Sequence, residues 1–247
     1  MTGISVDSTK IETGNTKVET IDTGSDGHVK VTTEGTERLR ITTDGKLGIG
    51  TANPARALQI NFGTEGNTNS RLLRLASADH TERYDFTLEN SNSLTIQNGT
   101  DDSTIIQMHN SGYVTKPNTP MFRAHYGGGT VTINAGDIVF GAVLNNVGNH
   151  YNSGNGRFTA PVAGVYYFYV GWYVVSHSNH RVALRINGSE QTQPYISGYN
   201  TGQGSGVVNQ CSSQLLLLAK DDYVTVWTDG AFTPYGAHLA WGGTLLG

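Results

Sequence analysis

The sequence predicts an all-β protein built from two unlike parts, a slender N-terminal part and a C-terminal head. Short apolar runs that alternate with polar residues recur along the chain, and Gly, Asn and Asp turn signals separate them. Glycine accounts for 32 of the 247 residues, and charged residues make up only 15%. Aromatic residues divide the chain, because 4 lie in the first 115 residues and 18 in the rest. Only the C-terminal part therefore has enough large side chains for a core of its own.

Residues 1–53 are predicted to form an N-terminal anchor and a β stalk. The runs 29–31, 39–41 and 47–49 alternate apolar with polar residues, and Asp-Gly or Glu-Gly turns punctuate them. One such ribbon buries too little apolar surface to offset the entropy of ordering it. The segment is therefore either disordered or packed against copies of itself. Regular Val, Ile and Leu positions favour self-association from residue 25 onward, whereas residues 1–24 leave both alternatives open.

Residues 54–116 are predicted to form a second β-rich module, a shaft or collar. Its candidate strands are short and are separated by Asn, Ser and Gly clusters. They cover residues 58–60, 72–75, 84–88, 94–96 and 105–108. A segment with Pro117 and Pro120 then marks the hinge before the head.

Residues 117–247 are predicted to form the head, where the strand signals are strongest. The run GVYYFYVGWYVV reads as a long central strand, RVALRI alternates, and Asn187-Gly188 is a hairpin turn signal. SSQLLLLA and YVTVW follow, with Asp221-Asp222 between them. Many short strands at intervals of about ten residues, joined by Gly-rich turns, indicate a β-sandwich or jelly roll.

The stretch DGKLGIGTANPARALQI, residues 44–60, resembles a phrase of phage tail-fibre and related bacterial surface proteins. In those proteins a Gly-Ile-Gly-Thr turn and an Asn-Pro step lead from one stalk strand to the next. The resemblance implies a fibre stalk in the N-terminal part.

The head resembles the globular domain of complement component one q, a relative of the tumour necrosis factor jelly roll. Seven residues stand at the spacing of that family: Phe140, Asn146, Tyr151, Phe158, Gly164, Tyr166 and Phe168. Two positions depart from the pattern, because Val170 stands for an aromatic residue and Asp221 for the usual glycine of a turn. The resemblance implies a ten-stranded jelly roll and a homotrimer. It also places a set of aromatic residues in the core or at the trimer axis: Phe140, Phe158, Tyr166, Phe168 and Trp172.

Composition and motifs exclude several classes of protein. The net charge of −4 gives no basic surface for nucleic acid, and no apolar run is long enough to cross a membrane. The first residues carry no export signal. The single cysteine, Cys211, excludes an intrachain disulfide and is expected to be a small buried strand residue. No catalytic motif is present, so we expect no enzyme and no cofactor.

Two chemical alternatives remain weaker than a structural role. His177 and His180 form the only close histidine pair, but a metal site needs further ligands, and a polar loop explains them. A glycan depolymerase needs a carboxylate pair. The head offers Asp137, Glu190, Asp221, Asp222 and Asp229 for it.

The candidate ligand-binding residues lie in predicted loops of the head, where recognition usually resides. They combine aromatic rings with amide and imidazole groups that can stack on or hydrogen-bond to a sugar or a protein. The candidates are His177, Asn179, His180, Tyr195, Tyr199, Asn200, Phe232 and Tyr235.

The leading hypothesis is a homotrimeric virion fibre or appendage of a bacteriophage. Its N-terminal segment would attach to other tail or capsid proteins, and its head would engage a host-surface glycan or protein. The alternatives are a capsid decoration or cement fibre without a receptor role, a bacterial extracellular adhesive protein, and a fibre-borne polysaccharide depolymerase. Repetition of each surface site in a trimer raises avidity without new contacts.

Overall fold

The computed structural model describes residues 9–61, 70–79, 81–89, 91–176, 180–190, 198–200 and 208–247. Within these ranges the chain forms 24 β-strands and one short 3₁₀ helix, which confirms the all-β prediction. The chain divides into two compact units, Met1–Pro117 and Asn118–Gly247. No helix in the described ranges is long and apolar enough to span a bilayer.

The first unit begins with a six-stranded sheet in which each strand pairs with its neighbour along the chain. All pairs are antiparallel except the last, which is parallel. The strands are β1 (Lys10–Thr13), β2 (Thr16–Ile21), β3 (His28–Thr33), β4 (Thr36–Ile41), β5 (Leu47–Ile49) and β6 (Leu58–Ile60). The strands predicted at 29–31, 39–41, 47–49 and 58–60 are confirmed, because turn signals and alternation together define a strand locally.

The connection between β5 and β6 lies in the stretch that resembles phage fibre proteins. Gly50 has φ +69° and donates its N–H to the Arg38 carbonyl at 2.8 Å. The Asn61 N–H in turn donates to the Ile49 carbonyl at 2.8 Å. A Cβ at Gly50 would overlap the Asn61 carbonyl oxygen. Glycine is therefore required here both for the left-handed backbone and for the close approach of the next strand.

A five-stranded antiparallel sheet follows in the same unit, in the spatial order β11-β10-β9-β8-β7. Its strands are β7 (Ser70–Ala76), β8 (Arg83–Leu88), β9 (Leu94–Asn98), β10 (Thr104–Met108) and β11 (Val114–Thr115). Small register shifts interrupt the β7–β8 and β9–β10 pairs, and elsewhere the strands form a regular meander.

The head consists of two sheets, each with a path of five hydrogen-bonded strands. The first path runs through β14 (Ala142–Val147), β12 (Met121–His125), β24 (Ala240–Leu245), β17 (Gly164–Ser176) and β21 (Val208–Leu218). The second runs through β15 (Tyr151–Asn152), β16 (Arg157–Thr159), β22 (Tyr223–Thr228), β18 (His180–Ile186) and β19 (Ser189–Glu190). In the described residues three short strands join these paths at their margins: β13 (Gly136–Ile138), β20 (Gly198–Asn200) and β23 (Thr233–Pro234).

An aromatic core joins the two head sheets. Phe122 of the first sheet stacks on Tyr151 and Phe158 of the second, with ring centroids 4.7 and 5.1 Å apart. Phe168 meets Phe158 edge-on at 5.4 Å. Packing of this kind across two facing sheets defines a sandwich core. The five aromatic residues expected in the core or at the axis are all buried: Phe140, Phe158, Tyr166, Phe168 and Trp172.

Hydrogen bonds in the turn that follows β14 explain the spacing of the residues that resemble the complement component one q family. The amide of Asn146 donates to the Tyr151 carbonyl at 2.8 Å and accepts the Tyr151 N–H at 3.1 Å. The Tyr151 hydroxyl donates to the Phe140 carbonyl at 2.9 Å. Burial raises the pKa of the Tyr151 phenol, which keeps the proton for this bond. Asn146 and Tyr151 thus hold the turn against the core.

Replacing Gly50 by alanine should destabilise the first unit more than the same change at Gly45. Both glycines have positive φ, so each substitution costs about 1–2 kcal/mol of backbone strain. Only at Gly50 does the added Cβ overlap a carbonyl oxygen, whereas the space beside Gly45 is open. The loss of stability in G50A and G45A is measured by thermal unfolding, in which proteolysis of the N-terminal unit reports its unfolding. Equal losses of stability in the two variants would contradict the need for glycine where Asn61 approaches residue 50.

Candidate functional site

The outward face of the first head sheet is a candidate surface of the head. Along β17 the side chains alternate, so Tyr166, Phe168 and Trp172 enter the core and Tyr167 and Tyr169 face outward. The partner strand β21 does the same with its leucine run: Leu216 and Leu218 are buried, whereas Leu215 and Leu217 face away from the core. The sheet therefore has an apolar surface on both sides.

The exposed leucines belong to a continuous apolar patch. Tyr167 lies opposite Leu215 on β21 and opposite Thr244 on β24, and Thr244 lies opposite Met121 on β12. Val165 lies opposite Leu217 in the next row. Leu215 is 59% and Leu217 79% exposed, an unusual state for two adjacent leucines on one sheet face. We call this patch, formed by Met121, Val165, Tyr167, Leu215 and Leu217, the head apolar face.

The other end of the same face is polar and concave. Gly171, Trp172, Asn209, Gln210, Cys211 and His238 line a cleft of about 270 Å³. Cys211 is exposed, so the expectation of a buried cysteine is wrong. The register explains the difference, because Cys211 lies opposite Gly171 on the outward side of the sheet. Its neighbour Gln210 lies opposite the inward-facing Trp172.

Three aromatic rings lie together beside this cleft. His238 of the short 3₁₀ helix η1 (Gly236–His238) lies 5.5 Å from the Tyr173 ring and 5.0 Å from the Tyr235 ring. His238 and Tyr235 are exposed. The N–H of Tyr235 donates to the Tyr173 carbonyl at 2.9 Å, which holds the backbone of Tyr235 beside β17. We call Tyr173, Tyr235 and His238 the aromatic platform.

The structure separates the loop residues that the sequence grouped as ligand-binding candidates. His180 and Phe232 are 1% and 2% exposed and stack on each other at 4.2 Å, so both belong to the interior and not to an exposed loop. His180 is the first residue of β18, and the backbone of Phe232 forms hydrogen bonds with the backbone of Ile133. Both residues are therefore held by strand pairing and do not lie in a free loop.

The remaining candidates differ in how far the structure describes them. Tyr235 is exposed and belongs to the aromatic platform. Tyr199 and Asn200 lie on β20, opposite Arg181 and His180 of β18. His177, Asn179 and Tyr195 lie outside the described residues.

Sequence reasoning missed Tyr173, His238 and the outward leucines. A usable signal was present for the leucines, because four in succession on a strand cannot all face one core. No comparable signal marks His238, whose position depends on a turn that only the fold brings beside β17.

The head carboxylates are engaged in structural contacts. Arg181 forms an ion pair with Glu190 at 2.8 Å, and its backbone N–H donates to Asp229 at 2.6 Å. Asp222 accepts hydrogen bonds from the Asn187 amide at 2.7 Å and the Ala219 N–H at 2.8 Å. These bonds, that from Asn187 first, hold the pKa of Asp222 below its usual value. Asp221, which stands at the usual glycine position, has φ +70° and completes this turn.

Asp137 is the fifth head carboxylate, and it accepts a hydrogen bond from Thr225 at 3.3 Å. Within the part of the chain that the structure describes, no group of three or more His, Cys, Asp or Glu side chains is placed to hold a metal ion.

The head is a sandwich of two facing antiparallel sheets around an aromatic core. The model of the C1q domain family matches residues 122–246, about half of the chain, and the chain belongs to this family. This confirms the resemblance that the aromatic spacing suggested.

Two curated relatives are similar to a part of this chain. Complement C1q tumor necrosis factor-related protein 2 of Mus musculus is 29% identical over 112 residues, which cover 40% of this chain and 36% of that protein. The Homo sapiens protein of the same name is also 29% identical over 112 residues and is covered to 38%. The chain thus spans about a third of the length of these curated relatives.

Two solved structures are similar to about half of this chain. The globular domain of zebrafish complement 1qA is 17% identical with a TM-score of 0.40, over 52% of this chain and 98% of that chain. The Eiger TNF structure from S. frugiperda is 17% identical with a TM-score of 0.40, over 53% of this chain and 94% of that chain.

Proposed function

We propose that the chain is a homotrimeric fibre protein whose heads are held together through the head apolar face. The observation that carries the proposal is the exposure of Leu215 and Leu217 beside Tyr167 on one flat sheet face. A patch of this kind marks an interface in a soluble protein. Trimeric association is what the family resemblance implies, and a threefold contact covers the patch of each head with those of its two partners.

The first unit supplies the stalk of the proposed fibre. In the six-stranded sheet one row of apolar side chains crosses every strand, because Val18 lies opposite Val31, Val31 opposite Leu39 and Leu39 opposite Ile49. On the other face Glu19 lies between Lys17 and Lys30 at 2.9 and 3.0 Å. A single sheet with one apolar and one charged face needs a partner on the apolar side.

The carrier of this fibre is the virion of a bacteriophage. The support is the stretch at residues 44–60, which resembles phage fibre proteins and in which Gly50 allows one strand to pass close to the next. In this setting the N-terminal segment attaches to other tail or capsid proteins, and the head contributes to host-surface recognition. A capsid decoration fibre uses the same assembly without a receptor.

A bacterial extracellular adhesive protein is the second candidate. It would use the same head, because the C1q domain match over residues 122–246 does not depend on the N-terminal phrase. A polysaccharide depolymerase has less support, since Glu190, Asp222 and Asp229 are all held in structural hydrogen bonds or ion pairs.

The aromatic platform is the proposed ligand site of the head. Tyr235 and His238 present exposed rings and polar groups, which can stack on a sugar ring and hydrogen-bond to its hydroxyls. The adjoining cleft adds Asn209, which lies opposite Tyr173, as an amide donor and acceptor. A surface glycan fits this chemistry, and threefold repetition of the platform raises its avidity.

Light scattering of the full chain should give three chain masses, and L217D should weaken the assembly. The aspartate places an unpaired carboxylate from each chain in an apolar contact. We expect the dissociation constant of the trimer to rise at least tenfold, which corresponds to a loss of about 1.4 kcal/mol of binding free energy. V139D is the control, because Val139 is an exposed apolar residue just after β13 of the other sheet. A monomeric wild-type chain would refute the trimer.

Antibodies against the head should label particles and not cell envelopes. The experiment separates virions from envelopes in a lysate of the source organism and follows the protein by immunogold microscopy and blotting. Label at the tail or capsid surface supports the phage assignment. Label confined to the envelope fraction would instead favour the extracellular adhesive protein.

The full-length protein should bind at least one glycan on an array of bacterial surface polysaccharides, and Y235A should weaken that binding at least tenfold. The loss follows from removal of an exposed ring of the aromatic platform. Y113A is the matched control, because Tyr113 is an exposed tyrosine of the first unit. Absence of binding, or an equal loss in Y113A, would overturn the glycan assignment.

A further inference from the structure

The five-stranded sheet of the first unit has one face made almost entirely of apolar residues. In its first row Met108 lies opposite both Val114 and Leu94, and Leu94 opposite Leu88. In its second row Ile96 lies opposite Ile106 and Phe86, and Phe86 opposite Leu73. We call these eight residues the shaft apolar face: Leu73, Phe86, Leu88, Leu94, Ile96, Ile106, Met108 and Val114.

The opposite face of this sheet is polar and its groups are already bonded to one another. Arg74 holds Asp85 with two hydrogen bonds of 2.7 and 2.6 Å. Thr87 donates to the Gln97 amide oxygen at 3.0 Å, and the Gln97 nitrogen donates to Glu89 at 3.2 Å. This face therefore needs no further partner to satisfy its buried polar groups.

Burial on the two faces is the reverse of what a lone sheet should show. Asp85 and Thr87 are fully buried, whereas Leu73 is 48% and Val114 62% exposed. Isolated sheets in water bury their apolar side and solvate their polar side. Within the residues that the structure describes, these side chains of the shaft apolar face are left exposed, so the face is a candidate for contact with another chain.

We propose that the shaft apolar face is the inner wall of a three-chain β-prism, in which three copies of this sheet enclose a dry apolar interior. The proposal rests on the proposed homotrimer. A trimer joined by its heads tethers three copies of the same sheet in one assembly, so a copy of the sheet is the neighbour present at high local concentration. The occupant is therefore a second and a third copy of this chain.

The chemistry of the face suits contact with itself. Around a rotation axis every side chain near the axis meets its own copy, so a charged residue there would meet a like charge. The shaft apolar face contains no charged residue, and its central strand contributes Leu94 and Ile96. The polar face would instead bring Arg74 towards its own copies, so it is unsuited to the interior.

The six-stranded sheet supports the same arrangement independently. Its apolar row begins with Ile11 and Val18 and continues through β6 with Ile60, which lies opposite Ile49. Ile11 and Val18 are exposed in the isolated chain. Two successive sheets of one unit thus leave their apolar side open and satisfy their polar side, which is the pattern expected of walls around a common interior.

Cysteine labelling tests the prism in the full chain. In a C211S background, which removes the exposed native thiol, single cysteines replace Leu88, Val114 or Thr115. Val114 and Thr115 are adjacent and both exposed in the isolated chain, but they face opposite sides of the sheet. In the trimer we expect maleimide labelling of L88C and V114C to be at least tenfold slower than that of T115C.

The outcomes separate this inference from the proposed trimer. Equal labelling rates in a chain that has three chain masses would overturn the prism and leave the head trimer intact. A protein with the mass of a single chain, that is a monomer, would overturn both the prism and the head trimer. Protection that occurs only when another protein co-purifies would also overturn the prism, since the occupant would then be a different partner.

Charge substitution on the central strand provides the second measurement. I96E should raise the rate at which a protease cleaves the first unit at least tenfold. Light scattering of the same variant should still give three chain masses, because the heads remain associated. T115E is its control, because Thr115 is exposed and faces the polar side of the same sheet. Equal protease resistance of I96E and the wild type would contradict a dry interior.

Discussion

Coverage of apolar sheet faces is the constraint on which the rest of this structure depends. Every strand alternates its side chains, so every sheet has two faces, and an apolar face cannot remain in water. In the head, two sheets cover each other, and Phe122, Phe158 and Phe168 join them in one aromatic core. In the first unit the described residues leave apolar side chains of both sheets exposed, among them Val18, Leu73 and Val114. The head thus forms a core within one chain, whereas the apolar faces of the first unit are covered in the assembly proposed above.

The same constraint acts a second time within the head. The first head sheet is apolar on both sides, because the four leucines of β21 alternate between the core and the outside. The inward pair, Leu216 and Leu218, stabilises the fold of one chain. The outward pair, Leu215 and Leu217, contributes nothing to that core. In the function proposed above, this pair connects the fold to assembly, and the polar end of the same face is the proposed recognition site.

Much of the fold could be predicted from local patterns. Alternation and turn signals located strands in both units, and the spacing of Phe140, Asn146, Tyr151 and Phe158 identified the head. That spacing is readable because it reflects short-range chemistry: Asn146 closes a turn on the Tyr151 backbone, and Tyr151 bonds Phe140. Such contacts join residues only a few positions apart, so the sequence carries them directly.

The parts that could not be predicted depend on long-range register. His180 and Phe232 were expected in loops, but pairing of distant segments brings them together in the interior. Cys211 was expected inside, yet its partner Gly171 lies on the outward side of β17. A shift of one residue exchanges the two faces of a strand, and no local signal specifies which face a distant strand will meet.

The sequence by itself therefore determined that this protein is all β, where most strands lie, and which residues share a face. Only the tertiary structure decided which of the two faces is covered within the chain. The five-stranded sheet makes the difference plain, since its alternation is evident from the sequence but its polar set, with Asp85 and Gln97, is the one that is buried. The physical reason is that alternation has a period of two and treats the two faces alike, so burial follows from the layer packed against a face and not from the strand itself.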